Sequence, residues 1–274
     1  MLSFVLDLRS HPVGGAVVPA CLSLPTPTLG QLQACTDVVF LVHGFNVDRA
    51  DGTGELMAFG KQLAALGDGA AVAVLWPGDS VIGPLSYPFE TNKADDSAVE
   101  LATFIGDQLP QAPRISFVGH SLGCRVVMET VRQLWIKNTP VSQVCLMAAA
   151  IDNDSLGISV EYQRAAQFAA RTGVLHSPCD TVLKDAYPIG NLISAFLHAA
   201  STTNAALGYS GPLSIASEHI QTPPEVQAVG IPSSTGVNHG DYLPNAAGLF
   251  NARQASAARF ANSMLAGVTP LTYA

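Results

Sequence analysis

Ile115-Ser116-Phe117-Val118-Gly119-His120-Ser121-Leu122-Gly123 is an apolar run that ends in Gly-x-Ser-x-Gly and passes at once into residues of helical period. A buried strand that feeds a helix through a glycine-flanked serine is the pattern of a sharp turn lifting one side chain above a sheet. Glycines at 119 and 123 leave the room such a turn needs, and Ser121 then stands at the N-terminus of the following helix. There the helix end and the amide of Leu122 favour negative charge, as the oxyanion of acyl transfer requires. A Gly-Ser turn of no chemical consequence is the competing reading, and the strand-turn-helix context argues against it.

Working outward, Val38-Val39-Phe40-Leu41-Val42-His43-Gly44-Phe45-Asn46 is a second apolar strand, closed by His-Gly. Further runs bounded by breakers place strands at about 2–8, 16–24, 37–42, 70–76, 114–119, 142–149, 172–177 and 226–231. Helical periodicity falls between several of them, over roughly 54–66, 94–109, 122–136, 160–170, 192–206 and 247–265. The stripe Val99, Ala102, Ile105 and Leu109 carries the second of these helices. The order is that of an α/β fold, with a mostly parallel central sheet of about eight strands covered by helices on both faces. Four central runs are apolar at nearly every position, as strands buried on both sides must be. The first two alternate less cleanly, which suggests antiparallel edges. Residues 77–92, 208–224 and 233–244 carry turn chemistry and read as loops, and no stretch reads as a linker between domains. The chain is therefore expected to be a single domain over residues 1–274, with a small cap-like insertion at about 185–222.

Composition narrows the function classes. The 274 residues hold 13 Lys+Arg against 21 Asp+Glu, a net charge of -8, with only 12% charged residues. No basic run could neutralise phosphates or dock on an anionic lipid surface, so nucleic acid and membrane are poor partners. The stretch 186–217 lacks Asp, Glu, Lys and Arg, but Asn191, Ser194, His198, Ser201, Thr202, Thr203 and Asn204 interrupt it as a membrane span. Asp7 and Arg9 likewise cut the N-terminal apolar run short of a signal peptide, so a cytoplasmic location is the expectation. The five cysteines show no CxxC or Cys/His metal spacing and read as free thiols, with no metal expected.

With these motifs and spacings the sequence resembles the α/β-hydrolase superfamily, of serine esterase/lipase-like type, over essentially its whole length. More narrowly, VHGFN, VLWPGD, GHSLGCRV and HGDYL resemble a poorly characterised bacterial group of such hydrolases. The resemblance implies Ser121 as nucleophile and an oxyanion hole formed by the backbone amides of Leu122 and Phe45. It implies the chain order Ser, acid, His, so His239, in the loop after the last strand, is the expected base. Asp180, just beyond the strand at 172–177, is the expected acid. Asp152, after the preceding strand, is the alternative, with a helix-capping role otherwise. The implied substrate is a small-molecule carboxylic ester, cleaved without cofactor through an acyl-enzyme. A thioesterase or acyltransferase on the same residues, or a non-catalytic binding module on the same fold, are the other readings. A homo-oligomer is left open.

Residues near the motifs receive more modest roles. His43 reads as a structural imidazole holding the oxyanion loop, and Asn46 either orients that loop or makes a turn. His120 neighbours Ser121, and Arg125 suits a buried hydrogen bond better than substrate contact. Tyr187, Ile189 and Leu192 are either one apolar wall of an acyl pocket, with His43, Asn46 and His120 as further pocket candidates, or part of a helix that covers the sheet.

Overall fold

The computed structural model describes residues 2–9, 26–63, 67–78, 87–109, 114–157, 161–186, 205–214, 221–245 and 247–273. In chain order these form β1 (Leu2–Asp7), α1 (Thr26–Gln33), β2 (Asp37–Val42), α2 (Arg49–Lys61), β3 (Ala70–Leu75), α3 (Tyr87–Gln108), β4 (Arg114–His120), α4 (Gly123–Ile136), β5 (Gln143–Met147), α5 (Gln163–Phe168), β6 (Arg171–His176), β7 (Val226–Gly230) and α6 (Ala252–Leu265). Single turns at Leu207–Ser210, Ser233–Thr235 and His239–Asp241 and a π-turn at Val182–Ala186 lie between them.

Seven strands join in the order β1-β3-β2-β4-β5-β6-β7. Every pairing is parallel. The expected strand at 16–24 lies outside the described residues. β1 is an edge strand as expected, but it pairs parallel with β3 rather than antiparallel. Its mixed exposure reflects an edge position, and alternation along one strand does not encode the direction of its neighbour.

Strand register shows why both faces need helices. Leu41 aligns with Ala73 and Val118, and that row continues through Cys145 and Gly173. This face receives α2, whose Gly60 lies against Leu41 and Ala71, and α6, whose Phe260 and Met264 lie over Gly173. Gly119 belongs to the opposite row and packs on Cys124 and Val127 of α4, with α3 and α5 against α4 in turn. Strands sandwiched this way are apolar throughout, and every residue of β3 is buried.

Several element boundaries depart from the sequence expectation, α6 among them, which starts at Ala252 rather than at 247. α3 starts at Tyr87, inside the stretch read as a loop, because Pro88 occupies its first turn, where a missing N–H costs nothing. It buries Ala94, Ala98, Leu101, Ala102 and Ile105, and Leu109 just beyond its end is buried too, so the expected stripe holds except at Val99, which is 44% exposed. α2 starts at Arg49 behind the cap Asp48, whose carboxylate accepts from the Asp51 amide. The helix expected at 160–170 shortens to Gln163–Phe168. The helix expected at 192–206 lies largely outside the described residues, as do Tyr187, Ile189 and Leu192. Of the expected insertion at 185–222, residues 205–214 rest on the carboxyl ends of the strands: Leu207 and Gly208 donate to Ile151 and Ala149, and Ser177 donates to Gly208.

β2 is the point where the topology reverses. The chain leaves it for β3 on one side, while β4 lies on the other, so loops after β2 and β4 diverge and leave a crevice above their carboxyl ends. Among the described residues no helix is long and apolar enough to cross a membrane.

Candidate active site

The crevice is built from two tight backbone approaches. Ser121 has φ 54, a left-handed conformation that L-residues pay to adopt. Its amide donates to Met147 at 3.1 Å, and its carbonyl accepts from Cys124 at 3.0 Å and Ala150 at 3.1 Å. The turn is thereby pinned to both α4 and the end of β5. A Cβ at Gly119 would stand 3.0 Å from the Cys124 Cα, and one at Gly44 would stand 2.9 Å from the Ser121 Cβ. The glycines are there because backbone passes where side chains would sit.

His239 comes from the loop after β7, and a set of side-chain bonds holds that loop. Asn238 and Asp241 cap its turn reciprocally, and Arg253 of α6 pairs with Asp241 at 2.8 Å. Ser177 donates to the Val237 carbonyl at 2.6 Å, and Thr181 N–H donates to the Asn238 side chain at 3.0 Å. These bonds tie the loop after β6 to the loop after β7. The His239 Nε2 lies 2.8 Å from the Ser121 Oγ, and its Nδ1 lies 2.8 Å from the Asp180 Oδ2. Asp180 is fully buried, and its other oxygen accepts from the Leu183 amide at 2.9 Å. A buried carboxylate at Nδ1 leaves the proton there and turns the Nε2 lone pair toward Ser121.

Asp152 takes no part in this chain. It forms an antiparallel bridge with Ala206 and accepts from the Ser155 amide.

The remaining histidines near Ser121 are framework. His43 is fully buried, stacked on Trp76. Its Nδ1 donates to the Gly44 carbonyl at 2.7 Å, and its Nε2 accepts from Arg9 at 3.0 Å. Burial, and then the Arg9 charge, push this imidazole down to about 3. It does not line the crevice. His120, by contrast, does line it: its Nε2 donates to the His239 carbonyl at 3.0 Å, and its ring lies 5.0 Å from the His239 ring. Burial and the neighbouring His239 push it down to about 3 as well. Asn46 has φ 57, and its amide donates to Gly78, so it is a turn residue outside the crevice. Arg125 pairs with Asp95 at 2.8 Å and with Glu161 at 3.2 Å, away from Ser121.

The crevice encloses about 290 Å³, with Gly44, Phe45, Val47, Leu243 and Pro244 on its walls beside Ser121 and His239. Among the described residues the amides of Phe45 and Leu122 donate no hydrogen bond. Phe45 follows Gly44, which lies against Ser121, and Leu122 precedes Gly123, which lies against the His43 backbone. Sequence reasoning missed three polar residues of the wall, Asn245, Gln254 and, alone in carrying a charge, Glu55 of α2. Burial, then the charges of Asp51 and Asp48, push its carboxyl up to about 7. The available signal was its helix position: Asp51 lies four residues before it and Phe59 four after, so no helical neighbour balances its charge. No group of three or more His, Cys, Asp or Glu side chains among the described residues is arranged to hold a metal.

The profile of a family described as alpha/beta hydrolase of unknown function (DUF900) matches residues 30–196. Among solved structures, the chain is similar to a carboxylesterase from Mesorhizobium loti, at 19% identity over 87% of this chain and 92% of that one, with a TM-score of 0.40. It is similar to a lipase-esterase related protein from Clostridium acetobutylicum, at 16% identity over 72% and 75% of the two chains, with a TM-score of 0.31. A type II thioesterase of the yersiniabactin biosynthetic pathway aligns at 18% identity over 42% of this chain, with a TM-score of 0.28; the match spans 43% of that protein's length. No curated protein matches the chain.

Proposed function

Since the chain belongs to the DUF900 family of α/β hydrolases, we propose that it is a serine hydrolase that cleaves small-molecule carboxylic esters through an acyl-enzyme. The reading is carried by the unbroken run of contacts from Ser121 through His239 to buried Asp180, both at 2.8 Å. The Ser121 Oγ attacks the ester carbonyl while His239 accepts its proton, and Asp180 holds the imidazole in the tautomer that can do so. The carbonyl oxygen, now negative, is received by the Phe45 and Leu122 amides. His239 then returns its proton to the departing alcohol. In the second half a water attacks the acyl-enzyme, with the same histidine as base, and Ser121 leaves with the proton.

Two features favour catalysis over a binding module. Ser121 is held in a left-handed conformation that a mere turn would assign to glycine, and the two amides next to it are free of internal partners among the described residues. The test is a fluorophosphonate probe followed by mass spectrometry, with p-nitrophenyl esters from acetate to palmitate as substrates. Stoichiometric labelling of Ser121 and ester turnover are expected. A folded protein that neither labels nor hydrolyses any of the esters is a binding module.

A further inference from the structure

Among the described residues Glu55 is the only carboxyl group on the crevice wall, and no described Lys or Arg lines that wall with it. The groups that could balance it are committed elsewhere or share its sign. Asp51, one helical turn earlier, and the capping Asp48 are both acidic. Arg49, on the same helix, pairs with Asp7 at 2.7 Å. Across the crevice, His120 is kept neutral, and His239 is engaged with Asp180 and Ser121. Among the described residues Glu55 makes no hydrogen bond or ion pair. A half-buried carboxylate in this setting is costly to keep unless something enters to meet it.

We infer that Glu55 is a specificity-determining residue that receives a cationic group, an ammonium or protonated amine, carried by the substrate. The inference rests on the serine-hydrolase reading and names the substrate class of that same site. The surrounding wall suits such a group, since Phe45, Val47, Leu243 and Pro244 supply apolar contact for the carbons around a charged nitrogen while Glu55 supplies the charge. Removal from water strengthens the attraction between a fixed carboxylate and an incoming cation. The upward displacement of the Glu55 carboxyl to about 7 by burial, Asp51 and Asp48 is what an unmatched acid experiences, and a bound cation reverses it. Binding below neutrality is thus expected to expel the Glu55 proton.

The test compares two alcohols of the same shape, choline and 3,3-dimethylbutan-1-ol, as protectants of Ser121 against a fluorophosphonate at pH 8, where Glu55 is ionised. Choline is expected to halve the labelling rate at a concentration at least about tenfold lower than its neutral isostere, and Glu55→Gln is expected to bring that ratio close to one. Glu55→Lys, which keeps a long polar side chain and inverts its charge, is expected to reverse the preference. Labelling that both alcohols slow equally in the wild-type protein, or a choline preference that survives in Glu55→Gln, overturns the inference and leaves the hydrolase reading intact. Wild-type protein that is not labelled at all overturns both.

Discussion

Gly123 and His43 meet so closely that a Cβ on the glycine would stand 2.3 Å from the His43 carbonyl oxygen and 2.7 Å from that of Val42. The contact joins the two loops that carry the Leu122 and Phe45 amides, and it fixes their separation. Gly123→Ala is therefore expected to force backbone apart at that point. Loss of one oxyanion donor costs on the order of 10²–10³ in kcat, and a drop of that size with a lower Tm is the expected outcome. The same substitution at Gly30, in α1, meets nothing within 4 Å and is expected to stabilise by about 0.5–1 kcal/mol through helix propensity. Calorimetry and ester turnover on the two variants check both signs.

Ser121→Ala and His239→Ala are each expected to lower kcat by about 10⁴–10⁶ while leaving the fold intact, and the double variant is expected to be little worse than either. Groups that act on one proton cannot be lost twice. Losses that multiply in the double variant would show that the two residues do not work as a unit.

Asp180→Asn keeps the shape of the buried side chain but favours the wrong imidazole tautomer, and the expected cost is about 10⁴ in kcat. Asp152→Asn is expected to cost far less, because the carboxylate at the His239 Nδ1 is that of Asp180. Circular dichroism on both variants, with kcat measured alongside, decides the ranking. The opposite order would move the acid role to Asp152.

Glu55→Gln is expected to change stability in a pH-dependent way. Folding raises the Glu55 pKa from 4.5 to about 7, so the folded state holds the proton more tightly than the unfolded chain. Stability then falls as pH rises across that window and stays lower above it. The glutamine variant escapes this, and after discounting for solvent screening of a half-buried group it is expected to be more stable by on the order of 1 kcal/mol at pH 8. Near pH 4 the two proteins should melt together. A variant that melts below the wild type at pH 8 would contradict the unmatched-acid account.

Much of this was legible from local pattern. The turn at Ser121 is written in neighbouring residues, because the glycines at 119 and 123 answer contacts made within a few residues or by the adjacent strand. Central strands are equally readable, since burial on both faces leaves few polar positions, Ser116 of β4 among them. Chain order brought Ser121, Asp180 and His239 forward as a group, and the three stand within hydrogen-bonding reach. What escaped depends on packing between distant segments. Gly52 falls before the helix expected from residue 54, yet it lies inside α2 because its missing side chain admits His43, Leu75 and Val47. The sequence places His120 only beside Ser121, whereas tertiary structure turns it under the His239 loop. Glu55 has no motif at all, and only the docking of α2 beside the crevice brings it to the wall.

The histidine that meets Ser121 lies 118 residues further along the chain, and 59 beyond the acid it shares. The serine turn and the strands beside it can be completed from residues up to β5. His239 arrives only after β7 has added to the far edge and α6 has supplied Arg253 to its loop. Contacts of such long sequence separation form late, because closing large loops must precede them. On the proposed mechanism Ser121 therefore stays inert until His239 docks beside it, and hydrolytic competence is expected to appear late in folding. Ester turnover in a refolding experiment is accordingly expected to lag behind the recovery of secondary structure.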